Sequence, residues 1–224
     1  MKFKVKAVMI DLDGTLIHSA PEIARAANAM LVGLNLPILE AKLIESYIGE
    51  GASVLIKRCL TGQQDGEPEA VLFAKAQTLF FDFYAQIVAE SKPYPQVEQA
   101  LQAIKQTGVQ MACITNKPAA FTMPLLEKSG LLPYFDLVVA GDTLPKKKPD
   151  PEQIFYVCEK FKVLVSESVL IGDSKTDIAA ARNAGCFIFA VPYGYNQGYS
   201  MNIGTVDALI HHLQDAVDLM ATEY

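Results

Sequence analysis

Two aspartates, Asp11 and Asp13, stand two residues apart, directly after the apolar run Ala7-Val8-Met9-Ile10 and just before Gly14-Thr15. An aspartate with a pKa near ~3.9 is anionic at neutral pH and can attack an electrophile with no base to activate it. A second carboxylate beside it can move protons. An anionic nucleophile and an anionic substrate repel each other, and a divalent cation is the usual bridge between them. The plainer account of the same residues is an acidic turn closing a strand.

Two further apolar runs end in polar groups. Ala112-Cys113-Ile114 leads into Thr115-Asn116-Lys117, and Val169-Leu170-Ile171 leads into Gly172-Asp173-Ser174-Lys175-Thr176-Asp177. Between them lies Lys146-Lys147-Lys148-Pro149-Asp150-Pro151. Continuous apolar runs of this length read as strands buried on both faces of a parallel sheet. Ligands of open α/β sheets bind beyond the carboxyl ends of the strands. The three polar clusters are therefore expected at one sheet edge.

This set, in this order, resembles the four motifs of the haloacid dehalogenase superfamily of phosphohydrolases. The resemblance implies a role for each residue. Asp11 would be the nucleophile and a metal ligand. Asp13 would protonate the leaving oxygen, later deprotonate water, and touch the metal through its backbone carbonyl. Asp173 would be a further metal carboxylate, with Mg²⁺ as the cation. Thr115 and Asn116 would hydrogen-bond the transferring phosphoryl group, although Thr and Asn also close strands as ordinary turn residues. Lys148 would neutralise phosphoryl charge, while Lys146 and Lys147 are expected on a solvated face. Asp177 has two compatible accounts, one layer behind the metal or in a capping box at a helix start.

From about Pro93 onward, strand-like and helix-like segments alternate, which predicts a doubly wound parallel sheet. The spacing predicts strands at Val109–Thr115, Leu137–Ala140, Val169–Ile171 and Phe187–Val191. Helices are expected before Gly108, over Ala119–Lys128, after Pro151 and up to Ala184. From His18 to Ala89 the alternation stops. Ser19-Ala20-Pro21-Glu22 has the form of a capping box. Leu72, Ala76, Leu79, Phe83 and Ile87 run at helical spacing, and Gly62–Pro68 reads as a solvated loop. The expected organisation is an α/β core from residues 1–17 and 90–224, with an all-helical cap inserted at 18–89.

The cap segment Tyr47-Ile48-Gly49-Glu50-Gly51-Ala52, with Leu55 and Arg58, resembles that of phosphoglycolate phosphatases. So does Val191-Pro192-Tyr193-Gly194-Tyr195-Asn196. Gly51 would let the backbone approach a small anion. Arg58 lies about two turns further along the same face and would either grip a substrate carboxylate or simply sit exposed on a cap helix. Gln96 departs from the pattern, because relatives commonly carry glycine there.

Composition narrows the field. A net charge of −6 argues against a nucleic-acid backbone as partner, yet leaves room for a local phosphate site, since charges are screened beyond about 10 Å. The four cysteines form no CxxC pair and lie in apolar contexts, which suits buried thiols and offers no zinc cluster. No signal peptide or membrane span is evident, so a cytoplasmic protein is expected, as monomer or homodimer. The expected reaction is Mg²⁺-dependent hydrolysis of a small phosphorylated metabolite, 2-phosphoglycolate or a similar ester, through an aspartyl-phosphate. The alternatives are a phosphosugar mutase of the β-phosphoglucomutase type and a non-catalytic binding protein on the same fold. A dehalogenase is disfavoured, because carbon–halogen displacement has no need of Asp13.

Overall fold

The computed structural model describes residues 2–196 and 204–221; the expected core segment therefore includes residues 197–203 and 222–224, which lie outside the described residues. After a two-residue strand, β1 (Phe3–Lys4), comes β2 (Ala7–Ile10), which is buried along its whole length. The core strands that follow are β5 (Gln110–Ile114), β6 (Leu137–Val139), β7 (Ser168–Gly172), β8 (Phe187–Ala190) and β9 (Ala208–Leu209). With β2 they form a parallel sheet of order β6-β5-β2-β7-β8-β9. The first strand thus sits mid-sheet, with the chain winding outward on both sides of it, and such a reversal of strand order opens a crevice at the carboxyl edge.

The sheet is covered on both faces. Val8, Ile10, Met111, Cys113, Val169 and Ile171 belong to one apolar cluster, while Ala7, Met9, Ala112, Ile114 and Leu170 belong to another. Successive strand residues point to opposite faces, so an uninterrupted apolar run feeds two cores at once. Helices α5 (Val97–Gln106), α6 (Ala119–Lys128) and α9 (Asp215–Leu219) supply the first core; α7 (Glu152–Phe161) and α8 (Lys175–Ala184) supply the second. All four cysteines are buried and free. No helix among the described residues is long and apolar enough to cross a membrane.

Between β2 and α5 lies the helical insertion. It opens with β3 (Ile17–His18), which pairs antiparallel with β4 (Lys92–Pro93), so that entry and exit of the insertion run side by side. Its helices are α1 (Ala20–Gly33), α2 (Ala41–Glu45), α3 (Ala52–Thr61) and α4 (Ala70–Ile87).

Two local expectations are revised. Helix α1 begins where predicted, but Ser19 makes no side-chain cap. Its backbone N–H and that of Ala20 donate instead to the Tyr195 hydroxyl, at 2.7 and 2.8 Å, and Glu22 accepts from Ser91. Along α4 the fully buried stripe is Ala76, Phe80 and Tyr84, with Leu79, Phe83 and Ile87 on its flank, because the helix serves both the insertion and, through Phe81 and Tyr84 against Phe121, the core. Strands β9 and β10 (Met220–Ala221), which pairs with β1, are too short to leave a period in the sequence.

Candidate active site

Ile10 lies opposite both Cys113 and Ile171 in the sheet. Asp11, Thr115 and Asp173 therefore leave it at one edge. Asp11 is nearly enclosed and accepts from the Leu12 N–H at 2.7 Å and from Lys148 Nζ at 2.9 Å, both on Oδ1. Lys148 also reaches Asp177 Oδ1 at 2.6 Å and the Ile114 carbonyl at 3.0 Å. Asp173 accepts from Thr15 Oγ1 at 3.0 Å and from the Tyr195 N–H at 2.7 Å. A Cβ at Gly14, whose φ is +87°, would overlap the Asp173 carboxylate, so only glycine permits that approach.

Asp11, Asp173 and Asp177 can each place one oxygen within 4.8 Å of the others. Three buried carboxylates facing one ammonium carry an excess of negative charge. Burial pushes the Asp11 carboxyl up from 3.8 to about 7, against the pull of Lys148 and with the help of Asp177 and Asp13. Asp173 is raised well above the ordinary range, first by burial, then by Asp177 and Asp11. Lys148 is raised as well, because Asp11 and Asp177 outweigh the cost of burying it. An all-oxygen, anionic, crowded set of this kind suits a hard divalent cation.

Asp177 makes the capping box considered for it. Its Oδ2 accepts from the Ser174 N–H at 3.1 Å and the Ser174 hydroxyl at 2.6 Å while its N–H donates back to Ser174, a full capping box, and its Oδ1 holds Lys148.

Asp13 belongs to a different set. Its carboxylate accepts from Lys117 Nζ at 2.9 Å on each oxygen and from Ser19 Oγ at 2.5 Å. Lys117 in turn donates to the Tyr84 hydroxyl at 2.6 Å. Burial opposes the Lys117 charge, yet Asp13 and Tyr84 hold its pKa above the ordinary value. Lys117, Tyr84, Ser19 and Tyr195 are additions to the expected site. The signal for Lys117 was its place beside Thr115-Asn116. For Tyr84 it was a hydroxyl on an apolar stripe, which needs a partner when buried.

A cavity at this edge is lined by Asp11, Asp13, Thr115, Asn116 and Lys117 from the core and by Ile48, Gly51, Leu55, Phe80 and Tyr84 from the insertion. Thr115 keeps its hydroxyl proton to donate, since its Oγ1 only accepts, from the Lys117 N–H. Asn116 serves as a strut: its Nδ2 donates to the Gly49 carbonyl at 2.9 Å and the Lys148 carbonyl at 2.8 Å, leaving no side-chain amide proton for a phosphoryl oxygen. Gly51, at φ +91°, starts α3 and packs so closely on Lys147 Nζ that a Cβ there would collide with it. Lys147 is thus drawn against the insertion rather than out into solvent.

The structure does not bring Arg58 to this cavity. Only 3% exposed, its guanidinium donates to the Gln64 carbonyl, the Tyr47 carbonyl and Glu50 Oε1 at 2.9, 3.4 and 2.7 Å. Instead of facing the cavity, the side chain ties the Tyr47–Glu50 segment to the loop after the helix.

The haloacid dehalogenase-like hydrolase family matches residues 8–191. The chain belongs to that family and is an enzyme of the hydrolase class. It is 48% identical to the phosphoglycolate phosphatase of Thiobacillus denitrificans over 98% of this chain and 96% of that protein. It is 46% identical to the phosphoglycolate phosphatase of Nitrosospira multiformis over 96% of each. A crystal structure of a predicted phosphoglycolate phosphatase from Haemophilus somnus superimposes with a TM-score of 0.90 at 32% identity, covering 96% of this chain and 97% of the other.

Proposed function

We propose that this protein hydrolyses 2-phosphoglycolate, or a phosphate monoester of similar size, with Mg²⁺ and through an aspartyl-phosphate on Asp11. The observation that carries this reading is the division of the two aspartates between two environments at one cavity. Asp11 sits with Lys148, Asp173 and Asp177, and Asp13 sits apart with Lys117 and Ser19. Asp11, Asp173 and Asp177 would hold the cation, with the Asp13 carbonyl alongside; when bound, it neutralises charge between nucleophile and phosphate.

Asp11 attacks phosphorus, and the bond from phosphorus to the ester oxygen breaks. Lys148 and the Thr115 hydroxyl meet the charge that builds on the phosphoryl oxygens. Asp13 delivers a proton to the leaving oxygen. It then takes one from a water that attacks the phosphorylated Asp11, which frees inorganic phosphate and restores the carboxylate. Residues 18–89 act as a cap that encloses the cavity and narrows it to small esters, on a core of residues 1–17 and 90–224.

The test is turnover of purified protein on a panel of phosphate esters. Phosphate release that requires Mg²⁺, stops in EDTA and favours phosphoglycolate is expected, and Asp11→Asn should fall to background while keeping its circular dichroism. Undiminished activity of Asp11→Asn, or full activity after exhaustive chelation, would refute the mechanism.

A further inference from the structure

With Arg58 locked inside the insertion, a carboxylated substrate needs another cation. Apart from the two aspartates, Lys117 is the charged side chain among the residues lining the cavity. The insertion's contribution to the wall is largely apolar, from Ile48, Leu55 and Phe80. A carboxylate buried against such a wall without a partner is costly, so it must settle where a donor already stands.

Lys117 is built for that exchange. Its ammonium has three donors on a flexible stem. Two contacts fall on Asp13 and one on the Tyr84 hydroxyl, whose ring also lies 4.8 Å from Nζ. Tyr84 steadies the ammonium from the insertion side, independently of Asp13. Asp13 keeps the Ser19 hydroxyl as a partner if the ammonium turns away. The pair also joins the two halves of the cavity, since Lys117 follows β5 of the core and Tyr84 lies on α4 of the insertion.

We propose that Lys117, steadied by Tyr84, is the specificity-determining residue that recognises the second anionic group of the substrate, and that this group takes the place of Asp13 on the ammonium. The incoming carboxylate then releases Asp13 to face the leaving oxygen, so an ester lacking the second charge leaves Asp13 clamped. The proposal rests on the phosphatase reading above and names what recognises the substrate there.

The experiment compares kcat/KM for 2-phosphoglycolate with that for ethyl phosphate, in which a methyl group replaces the carboxylate, with Mg²⁺ present. Wild-type protein should favour phosphoglycolate. Lys117→Met should lower that preference by roughly ten- to a hundred-fold, the range expected for a lost charge-assisted hydrogen bond, and Lys117→Arg should recover part of it. Tyr84→Phe should shift the preference the same way by a smaller factor, and it decides the matter if Lys117→Met does not fold. Equal losses on both esters in these variants would overturn the proposal, making Lys117 a structural partner of Asp13. So would wild-type hydrolysis of both esters with no preference, with the phosphatase reading left standing. A wild-type protein that hydrolyses neither ester, nor any other in Mg²⁺, overturns that reading and this proposal together.

Discussion

Asp11 carries a proton more tightly in the folded chain than out of it, because burial beside Asp177 and Asp13 outweighs the attraction of Lys148. Its pKa of about 7 stands above the unfolded value of about 3.8. The unfolded chain therefore ionises first as pH rises, and the native state loses stability between those two values. In EDTA, the midpoint of thermal unfolding is expected to fall as pH is raised from about 5 to about 8. Asp11→Asn should flatten that slope, and saturating Mg²⁺, which needs the ionised carboxylates, should flatten or reverse it. Parallel slopes for wild type and Asp11→Asn in EDTA would remove Asp11 as the cause. The same crowding makes Asp11→Asn a poor candidate for unfolding, since it removes a charge that the site holds at a cost.

At the scale of the element, two positions show what a local pattern leaves out. Gln96 precedes α5 with φ +64°, in the left-handed region, which costs a side-chain-bearing residue about 1–2 kcal/mol. A glycine would fit that backbone without strain. Gln96→Gly is expected to raise stability by up to about 1 kcal/mol, some of the relief being offset by the greater freedom of glycine in the unfolded chain; a loss of stability in urea titration would contradict this. Arg58 ties both ends of α3 into the insertion. Truncating one partner of a buried ion pair costs about 3–5 kcal/mol, and partial exposure of Glu50, at 29%, lowers the expectation to about 2 kcal/mol. Arg58→Ala should show that loss in urea titration and lower kcat/KM by similar factors on phosphoglycolate and on ethyl phosphate. A loss confined to phosphoglycolate would restore Arg58 as the carboxylate clamp.

Across the whole molecule, residues remote in sequence join the insertion to the core. Tyr195 comes from the segment after β8, and its hydroxyl receives the N–H groups of Ser19 and Ala20 at the start of α1. Asn116 reaches Gly49, Lys117 reaches Tyr84, and Lys175 approaches Glu50 at 3.8 Å. Tyr195→Phe strands two buried donors at the root of the insertion, which costs about 2 kcal/mol. For a chain of this size that corresponds to roughly 4–8 °C in melting temperature. An unchanged melting curve would mean that water or a shifted backbone satisfies those donors.

The sequence alone determined the main core strands, their parallel alignment in one sheet and the residues at their ends. Each of these is a local signal: an apolar run long enough to be buried on both faces, followed at once by groups that cannot be buried with it. Asp11, Thr115 and Asp173 were legible for that reason, and Asp177 through its capping box. Only the tertiary structure decided the partners of long polar side chains. Helical spacing places Arg58 near Gly51, to grip the substrate or to sit exposed, but its guanidinium closes instead on Tyr47, Glu50 and Gln64. Ser19 read as a cap because its neighbours have that form, but its hydroxyl went to Asp13 once Tyr195 had taken the backbone donors. Lys117 and Tyr84 stand far apart in the chain, on different halves of the molecule. A buried donor takes whichever acceptor the packing brings within reach, and no spacing in the sequence records that choice.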